Sequence, residues 1–336
     1  MAARLQAAWL RRGALACSLF PVSMVTGWVI RLRDLLFKIG VLPTHRLPVP
    51  VVVVGNLIVG GAGKTPTVIA VVALLKLHGF RPGIVSRGYG RGSDTIQEVH
   101  ESTPPTESGD EPLLLHRRCG VPVTVGRDRV AAAKQLLLLH RTVDIIVSDD
   151  GLQHQRLARD AQIVVFDERG VGNGWLLPAG PLREPVTELP PERTVVIYNA
   201  AQATTSWPGE TVQRSLAGAV LLSDWWAGQP ASTSALDALR SKRIFAAAGM
   251  AQPERFFSML RNTGLTRLQA LPVPDHFDFS TLPWPSEAQD VIVTEKDAVK
   301  IQPERVGSTR VWVAPLNFTM HPASSAALLA LLPPPQ

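Results

Sequence analysis

The sequence predicts an α/β fold in which a mostly parallel sheet carries helices on both faces. A valine-rich apolar run around residues 51–54 is followed by a glycine-rich turn and then by a helical pattern. Apolar strands and helices alternate from there to Asp167, and the run at 143–150 ends in two acids. Alternation of this kind is typical of right-handed βαβ units. We also expect a smaller C-terminal α/β domain and an N-terminal membrane-associated helix.

Composition and charge exclude several classes of protein. Hydrophobic residues make up 46% of the 336 residues and charged residues 18%, which favours a large core and excludes wholesale disorder. Two cysteines exclude a disulfide scaffold and a cysteine-rich zinc site. Residues 1–46 hold seven basic side chains and one acid, which accounts for the entire net charge of +6. The rest of the chain is neutral, so we expect no nucleic-acid partner.

The basic N-terminal part surrounds an apolar segment. Residues 13–30 are uncharged, with Arg11 and Arg12 before them and Arg31 and Arg33 after them. A helix lying in the headgroup layer of a membrane fits this pattern of basic and apolar residues best. A single spanning helix and a core helix of the soluble fold are the alternatives. A cleaved signal peptide is less favoured, because no apolar stretch separates the arginines from Ala14-Leu15-Ala16.

The pattern of elements divides the chain into three parts. We predict a membrane-associating segment at 1–46, a P-loop core at 47–190 and a smaller α/β domain at 191–336, whose first strand is 194–200. The predicted core strands cover residues 47–56, 81–88, 121–126, 143–150 and 161–167, and the core helices residues 65–78, 111–120 and 128–140. The predicted later elements are strands at 242–249, 291–297 and 310–316 and a helix at 253–264.

The strongest chemical signal is the glycine-rich turn between the first strand and helix. Its residues are Gly60, Gly61, Ala62, Gly63, Lys64, Thr65 and Pro66. Glycines let backbone N–H groups approach a phosphate chain, and the following helix points its positive end at the same anion. The lysine can reach the β- and γ-phosphates, and the threonine hydroxyl can bind Mg²⁺. The turn therefore predicts a P-loop NTPase-type site, although Ile58 stands at the position of the first glycine.

Acids elsewhere in the chain extend this prediction. Asp149 and Asp150 end an apolar strand, so we expect them at the carboxyl edge of the sheet, where an acid assists Mg²⁺ binding. Asp110 precedes a helix and is either a helix cap or a functional acid. Asp275 and His276 form a carboxylate–imidazole pair between prolines and aromatics. The run 294–297 differs in spacing from the guanine-reading motif, so we do not predict guanine specificity.

Nine segments then identify a family by resemblance. They are VGNLIVGGAGKTP, SRGYGR, SGDEPLL, VGRDRVAA, DDGLQHQRLARD, GPLRE, PERFF, PDHF and VTEKDAVK, in this order from about Gly55 to Lys300. Together they resemble the tetraacyldisaccharide 4'-kinases, the lipid A 4'-kinases of Gram-negative bacteria. DDGLQH, SRGYGR and a P-loop without its first glycine are specific in combination, whereas the P-loop alone is not.

The resemblance implies a reaction, its cofactors and a location. Members of this family transfer the γ-phosphate of ATP, with Mg²⁺, to the 4'-hydroxyl of an acylated glucosamine disaccharide 1-phosphate lipid, and form lipid IVA. They work on the cytosolic face of the inner membrane and reach the lipid surface through their N-terminal region. The fold implied is a P-loop core and a smaller C-terminal domain, joined by a strand-like hinge.

The resemblance also implies roles for individual residues. Residues 60–66 bind the nucleotide, and Thr65, Asp149 and Asp150 form the metal site. Asp110 is the expected base for the sugar hydroxyl, supported by Asp275 and His276. The expected substrate-binding residues are Arg87, Arg91, Gln153, His154, Arg183 and Glu184. Phe277 occupies a position where many members have a second histidine.

Two other functions share part of these features. A membrane-associated P-loop GTPase or ATPase switch would have the glycine-rich turn and the acid pair, but would need neither SRGYGR nor an Asp-His pair. A non-catalytic nucleotide-binding adaptor at the membrane would not need the complete set of acids. Comparing lipid phosphorylation with simple nucleotide hydrolysis separates the kinase from the switch.

Overall fold

The strands of the fold form three sheets. The structure is a computed structural model that describes residues 8–335. The largest sheet has eight strands in the order β3-β4-β2-β5-β1-β6-β7-β8, a second has the order β10-β14-β13-β11-β12, and β9 pairs with β15. The strands are β1 (Val51–Gly55), β2 (Pro82–Ser86), β3 (Gln97–Glu98), β4 (Val123–Val125), β5 (Ile145–Asp149), β6 (Ala161–Asp167), β7 (Thr194–Asn199), β8 (Glu210–Thr211), β9 (Gln213–Leu216), β10 (Val220–Leu221), β11 (Ile244–Ala248), β12 (Leu268–Pro272), β13 (Asp290–Val293), β14 (Arg310–Val313) and β15 (Leu316–Thr319).

The helices connect these strands and flank the sheets, with one further helix near the N-terminus. They are α1 (Ala14–Lys38), α2 (Lys64–Leu77), α3 (Pro105–Ser108), α4 (Asp110–Cys119), α5 (Arg129–Leu139), α6 (Leu222–Trp226), α7 (Thr233–Ala238), α8 (Pro253–Asn262), α9 (Glu295–Ala298) and α10 (Pro322–Ala330). The predicted strands and helices of the core are all present, with ends that differ by a few residues. The predicted α/β class, with a mostly parallel sheet, is confirmed.

The valines of β1 explain why this strand lies at the centre of the large sheet. Val52 and Val54 pack in one core with α2, whereas Val51 and Val53 pack in a second core with α5. Successive side chains of a strand point to opposite faces, so a parallel strand covered on both faces must be apolar throughout. Each fully buried valine stabilises the fold by roughly 1.5–3 kcal/mol. The turn after β1 therefore starts from a firmly held strand.

Ile58 is bulky because its position belongs to the core. Its side chain is fully buried in the same cluster as Val51, and it forms an isolated bridge with Leu182. A glycine there would leave this space unfilled. The departure from the usual P-loop pattern thus affects the support of the turn and leaves the glycines that follow it unchanged.

The second sheet shares a core with the first. One face of β11 presents Phe245 and Ala247 to the cluster that also contains Val52 and Val54 of β1. Its other face packs against α8, including Phe257. The two sheets are therefore held together by continuous apolar packing.

The core unit contains the large sheet, and the small unit contains the five-stranded sheet. The boundary between these two units differs from the one predicted. We expected the strand at 194–200 to open the C-terminal domain, but β7 pairs in parallel with β6, with Phe166 opposite Tyr198. Strand β8 continues the same sheet. The assignment of this strand to the second domain is therefore wrong. Local sequence shows that a segment is a strand, but long-range pairing decides which sheet it joins.

A two-stranded ribbon carries the chain between the units. Strand β9 follows the last strand of the large sheet, and β15 follows the last strand of the small one; the two pair antiparallel, with Leu216 opposite Leu316. Helix α10 then returns to pack on β7 of the large sheet. Arg255 of α8 also forms an ion pair with Glu168, which follows β6. The C-terminal part of the chain thus contributes to both units.

The N-terminal helix α1 contacts the body along a narrow stripe. Its buried residues are Ala16, Ser23, Gly27 and Ile30. Ser23 Oγ donates a hydrogen bond of 2.8 Å to Leu176 O and accepts one of 2.9 Å from Ala179 N. The helix continues through Pro21, although proline removes one backbone hydrogen bond. Small residues at the contact let the helix lie close to the body.

The opposite side of α1 is apolar and exposed. Val25, Trp28 and Val29 are each more than 60% exposed. Among residues 8–335, this is the one helix long and apolar enough to cross a bilayer, judged by length and composition, and 17% of its apolar window is buried. The interpretation of this segment as a core helix is therefore wrong, because core helices are mostly buried.

Candidate functional site

The glycine-rich turn is shaped by two asparagines at strand ends. Asn56 Nδ2 donates to Gly60 O over 3.0 Å, and Asn199 Nδ2 donates to Ala62 O over 2.9 Å. Gly63 has φ +95°, and a Cβ atom there would lie 2.2 Å from Asn199 Nδ2, so only glycine fits. No side chain caps α2, which begins at Lys64. Its first N–H groups are therefore available to an anion.

Lys64 and the second acid of the pair meet beside this turn. Lys64 Nζ lies 3.7 Å from Asp150 Oδ1 and 3.2 Å from Asn56 Oδ1. Arg183 Nη1 donates to Asp150 Oδ1 over 2.8 Å. Burial alone would raise the pKa of Asp150, but Lys64 and Arg183 lower it below its ordinary value. Asp150 is therefore an anion at neutral pH, and its φ of +47° is a strained conformation of the kind found at functional sites.

Asp149 occupies a very different environment. Its side chain is buried, Ser86 Oγ donates to its Oδ2 over 2.9 Å, and its Oδ1 has no partner. Burial raises the pKa of Asp149 to about 7, with further contributions from Glu111 and Asp150. Two adjacent carboxylates thus have pKa values shifted in opposite directions. An unpartnered buried carboxylate oxygen is unusual and fits a site for a cation.

The predicted acceptor-side residues come together across the two units. Asp110 lies in the first turn of α4, and His276 lies in the loop after β12. His276 Nδ1 and Asp110 Oδ2 are 3.0 Å apart and share a hydrogen bond. This bond raises the pKa of His276 above its ordinary value. The His276 ring also contacts Tyr89, with ring centroids 5.3 Å apart.

Asp110 stays ionised despite its burial. Burial would raise its pKa, but the hydrogen bond with His276 and the nearby Lys296 and Lys300 lower it below the ordinary value. Asp275 does not contact the imidazole closely, since its Oδ1 lies 3.9 Å from His276 Nε2. It forms an ion pair of 3.0 Å with Lys296 instead.

The remaining predicted residues lie around the acid pair. Gln153 Nε2 donates to Glu184 Oε1 over 2.8 Å, and Arg183 Nη1 donates to Gln153 Oε1 over 3.3 Å. His154 is kept neutral, because burial, followed by the charge of Arg129, lowers its pKa to about 4. These contacts join the segments DDGLQH and GPLRE into one network.

The two arginines of SRGYGR lie on the same side as the acid pair. Arg87 is exposed, and Arg91 Nη1 donates to Thr95 O over 2.6 Å. Both are close enough to affect Arg129, whose pKa falls to about 10, mainly through burial. Asp149 and Asp150 act on the pKa of Arg129 in the opposite direction, so this buried guanidinium lies near the pair. The site therefore contains both acids and several cations.

Several residues of the candidate site were not predicted from the sequence. Asn56, Arg129 and Lys296 all lie in segments that the resemblance quotes, namely VGNLIVGG, VGRDRVAA and VTEKDAVK. Asn199 ends a predicted strand, and a polar residue at a strand's carboxyl end was the available signal. Their partners lie far away in sequence, so spacing alone did not show their contacts.

An apolar cleft lies between α1 and the body. It has a volume of about 640 Å³ and is lined by residues that include Phe20, Trp28, Arg31, Trp175 and Pro185. Pro185 directly follows Glu184, so the cleft begins beside the network around the acid pair.

Comparisons with known proteins point to one family. A family model described as tetraacyldisaccharide-1-P 4'-kinase (LpxK) matches residues 15–333. A tetraacyldisaccharide 4'-kinase of Methylibium petroleiphilum is 53% identical over 331 residues, which cover 97% of this chain and 92% of the relative. Another, from Leptothrix cholodnii, is 49% identical over 337 residues, with coverages of 99% and 97%.

A solved structure shows the same fold. It is LpxK from Aquifex aeolicus in complex with ATP, with a TM-score of 0.77 and 28% sequence identity. The match covers 95% of this chain and 100% of that chain. A P-loop kinase fold with an added small unit is therefore common to both. Given this fold and a family match from residue 15 to residue 333, the chain belongs to the tetraacyldisaccharide-1-P 4'-kinase family.

Proposed function

We propose that this protein transfers the γ-phosphate of ATP to the 4'-hydroxyl of a tetraacyldisaccharide 1-phosphate and so forms lipid IVA. The kinase names of its relatives, at 53% and 49% identity over nearly the whole chain, support this reaction. The structural observation that carries it is the 3.0 Å contact between Asp110 of α4 and His276 of the small unit. Glu111, next to Asp110, raises the pKa of Asp149 through its charge. The acceptor-side acids are thus electrostatically coupled to the phosphate-side acids.

The glycine-rich turn and Lys64 bind the phosphates of ATP in this proposal. The free N–H groups at the start of α2 and the Lys64 ammonium stabilise the negative charge of the phosphate chain. Phosphoryl transfer depends mainly on in-line positioning and on charge neutralisation. Binding of ATP breaks no strong pair of Lys64, since its distance from Asp150 is already 3.7 Å.

The residues near the turn fit a magnesium ion held partly by the nucleotide. Thr65, Asp149 and Asp150 are the proposed ligands, and the unpartnered Oδ1 of Asp149 is the observation that fits a cation. Among residues 8–335, no cluster of three His, Cys, Asp or Glu side chains forms a complete metal site. Magnesium commonly uses one or two carboxylates together with substrate phosphates. When bound, it neutralises charge on the β- and γ-phosphate oxygens.

Asp110 is the proposed base for the sugar hydroxyl, with His276 as its partner and Asp275 as a more distant support. An ionised, buried carboxylate can orient the 4'-hydroxyl and accept its proton as the oxygen attacks phosphorus. The hydrogen bond to His276 holds the carboxylate in place. General-base help of this kind is typically worth about 10²–10⁴ in rate. The small unit thereby completes the site.

The arginines and amides suit an anionic acceptor. Arg87 is exposed, whereas Arg91 is partly buried and its Nη2 has no partner. Guanidinium groups bind phosphate in a bidentate manner. Gln153, Glu184 and Arg183 form the hydrogen-bonded network beside Asp150. His154, neutral and half-buried, lies in the same segment, and its Nε2 has no partner.

The exposed side of α1 is proposed to lie in the lipid surface of the inner membrane, on its cytosolic face. Apolar side chains such as Trp28 and Val25 project from it, and basic residues flank it. This arrangement is typical of a helix in the headgroup layer. We propose the cytosolic face because the phosphate-binding turn needs ATP, which is supplied in the cytosol.

Neither alternative function is favoured. A membrane-associated GTPase or ATPase switch has no use for the Asp110–His276 pair, and the relatives are named as kinases. A nucleotide-binding adaptor would not need the acids that line both sides of the site.

Replacing Lys64 by alanine tests the phosphate site. We expect Lys64→Ala to abolish lipid phosphorylation and to leave the fold intact, because the side chain is a phosphate ligand without a core role. The measurement is transfer of labelled phosphate to the lipid, with circular dichroism as the check on folding. Lys134→Ala, at an exposed position of α5, is the matched control and should keep full activity. Wild-type turnover in Lys64→Ala would remove the proposed role.

Replacing Asp110 by asparagine tests the base. Asp110→Asn should lower kcat about 10²-fold or more and change KM for ATP little, because the carboxylate acts on the acceptor hydroxyl. Steady-state kinetics with both substrates varied measure this. Asp224→Asn, at an exposed position of α6, is the control and should behave as wild type. A variant with unchanged kcat and weakened ATP affinity would make Asp110 a nucleotide ligand instead.

Charge placed on the exposed side of α1 tests the membrane contact. The double variant Val25→Glu, Trp28→Glu should no longer float with anionic liposomes, because both side chains would carry charge into the apolar layer. The wild type should remain partly bound in about 1 M salt, where the Debye length is only about 3 Å, because salt does not screen apolar insertion.

Leu138→Glu provides the matched control for flotation. Leu138 is also an exposed apolar residue, 68% exposed, but it lies on α5 of the body. The Leu138→Glu variant should float with the liposomes as the wild type does. Complete release of the wild type by salt, or normal flotation of the double variant, would contradict the proposed insertion.

A further inference from the structure

Lys296 connects three carboxylates that come from both units. It belongs to α9, which directly follows β13 of the small sheet. Its Nζ lies 3.0 Å from Asp275 Oδ1, 3.3 Å from Glu111 Oε1 and 4.0 Å from Asp110 Oδ2. Asp275 belongs to the small unit, whereas the other two acids lie in the first turn of α4.

The groups around this ammonium define its electrostatic role. His276 faces the same acids, with its Nδ1 3.0 Å from Asp110 Oδ2. Lys300 Nζ lies 4.0 Å from Asp110 Oδ2, but its shorter contact, 3.0 Å, is with Asp297. Both lysines therefore lie at the same distance from Asp110, but Lys296 also pairs with Glu111 and Asp275.

The partners of Lys296 keep it charged. Burial alone would lower the pKa of its ammonium, but Glu111, Asp110 and Asp275 raise it above the ordinary value. In turn, Lys296 opposes protonation of His276, whose pKa the hydrogen bond with Asp110 raises. One cation thus acts on both members of the Asp110–His276 pair.

From these contacts we propose that Lys296 is a positioning residue that holds Asp110 and Asp275 in place between the two units. The catalytic role of the Asp110–His276 pair rests on the proposed kinase function, whereas the geometry of the cluster does not depend on it. Lys296 couples the position of the small unit to the arrangement of Asp110, because its carboxylate partners come from both units. Its charge also disfavours protonation of His276. Without Lys296, three carboxylates would face one another with less compensating charge.

Two variants at this position separate charge from packing. Lys296→Met removes the charge and keeps a side chain of similar length, whereas Lys296→Arg keeps the charge. Lys242→Met is the control, because Lys242 pairs at 3.7 Å with Asp290 in the small sheet and contacts none of these acids. The pKa of His276 is measured by NMR titration of labelled histidine in full-length protein without lipid, with His276→Gln used to assign the signal.

We expect loss of the Lys296 charge to change both the titration of His276 and the rate of phosphate transfer. In Lys296→Met the titration midpoint of His276 should rise by about half a pH unit or more, because a nearby positive charge is lost. Lipid phosphorylation should show kcat reduced about 10-fold or more, with KM for ATP within about threefold of wild type. Lys296→Arg should restore both values, and Lys242→Met should change neither.

Other results would overturn the proposal. A midpoint that stays the same or falls in Lys296→Met, an unchanged kcat, or a failure of arginine to restore the values would each contradict it. Failure of the kinase function itself is distinguishable, since the wild type would then transfer no phosphate to lipid while the titration shift would still appear.

Discussion

The parallel register of β1 and β5 is the constraint on which the site depends. Val54 lies opposite Asp149, so the glycine-rich turn after β1 starts at the level where β5 delivers its two acids. Both strands are buried on both faces, and a shift of either one would misplace side chains in both cores. The short distance between Lys64 and Asp150 follows from this register.

At the end of β5, different surroundings shift the pKa values of two adjacent acids in opposite directions. Asp149 is buried and has a raised pKa, whereas Asp150 is paired with cations and has a lowered one. The second unit adds His276 through a loop that reaches Asp110. Because the two sheets share an apolar core, this loop is held at a defined distance from the phosphate side. Packing between the units thus determines where an acceptor hydroxyl would meet the proposed base.

Local patterns were sufficient to predict the core strands, the turn and the acid pair, because hydrophobic periodicity and glycine chemistry are local properties. The residues themselves indicated Asp110 and the Asp275–His276 pair as candidates, and the family resemblance gave them a joint role that spacing could not. Strand β7 was assigned to the wrong unit, since its sheet is chosen by pairing with β6. The roles of Asn199 and Lys296 were not predictable, because each contacts residues more than 100 positions away or on another element.

The most direct test follows the γ-phosphate itself. The protein is incubated with Mg²⁺, ATP labelled at the γ-position and tetraacyldisaccharide 1-phosphate in detergent micelles, and the labelled products are separated. Our account predicts that the label appears on the 4'-hydroxyl of the lipid and that little free phosphate forms when the lipid is left out. Release of the label as inorganic phosphate at the same rate with and without lipid would contradict it.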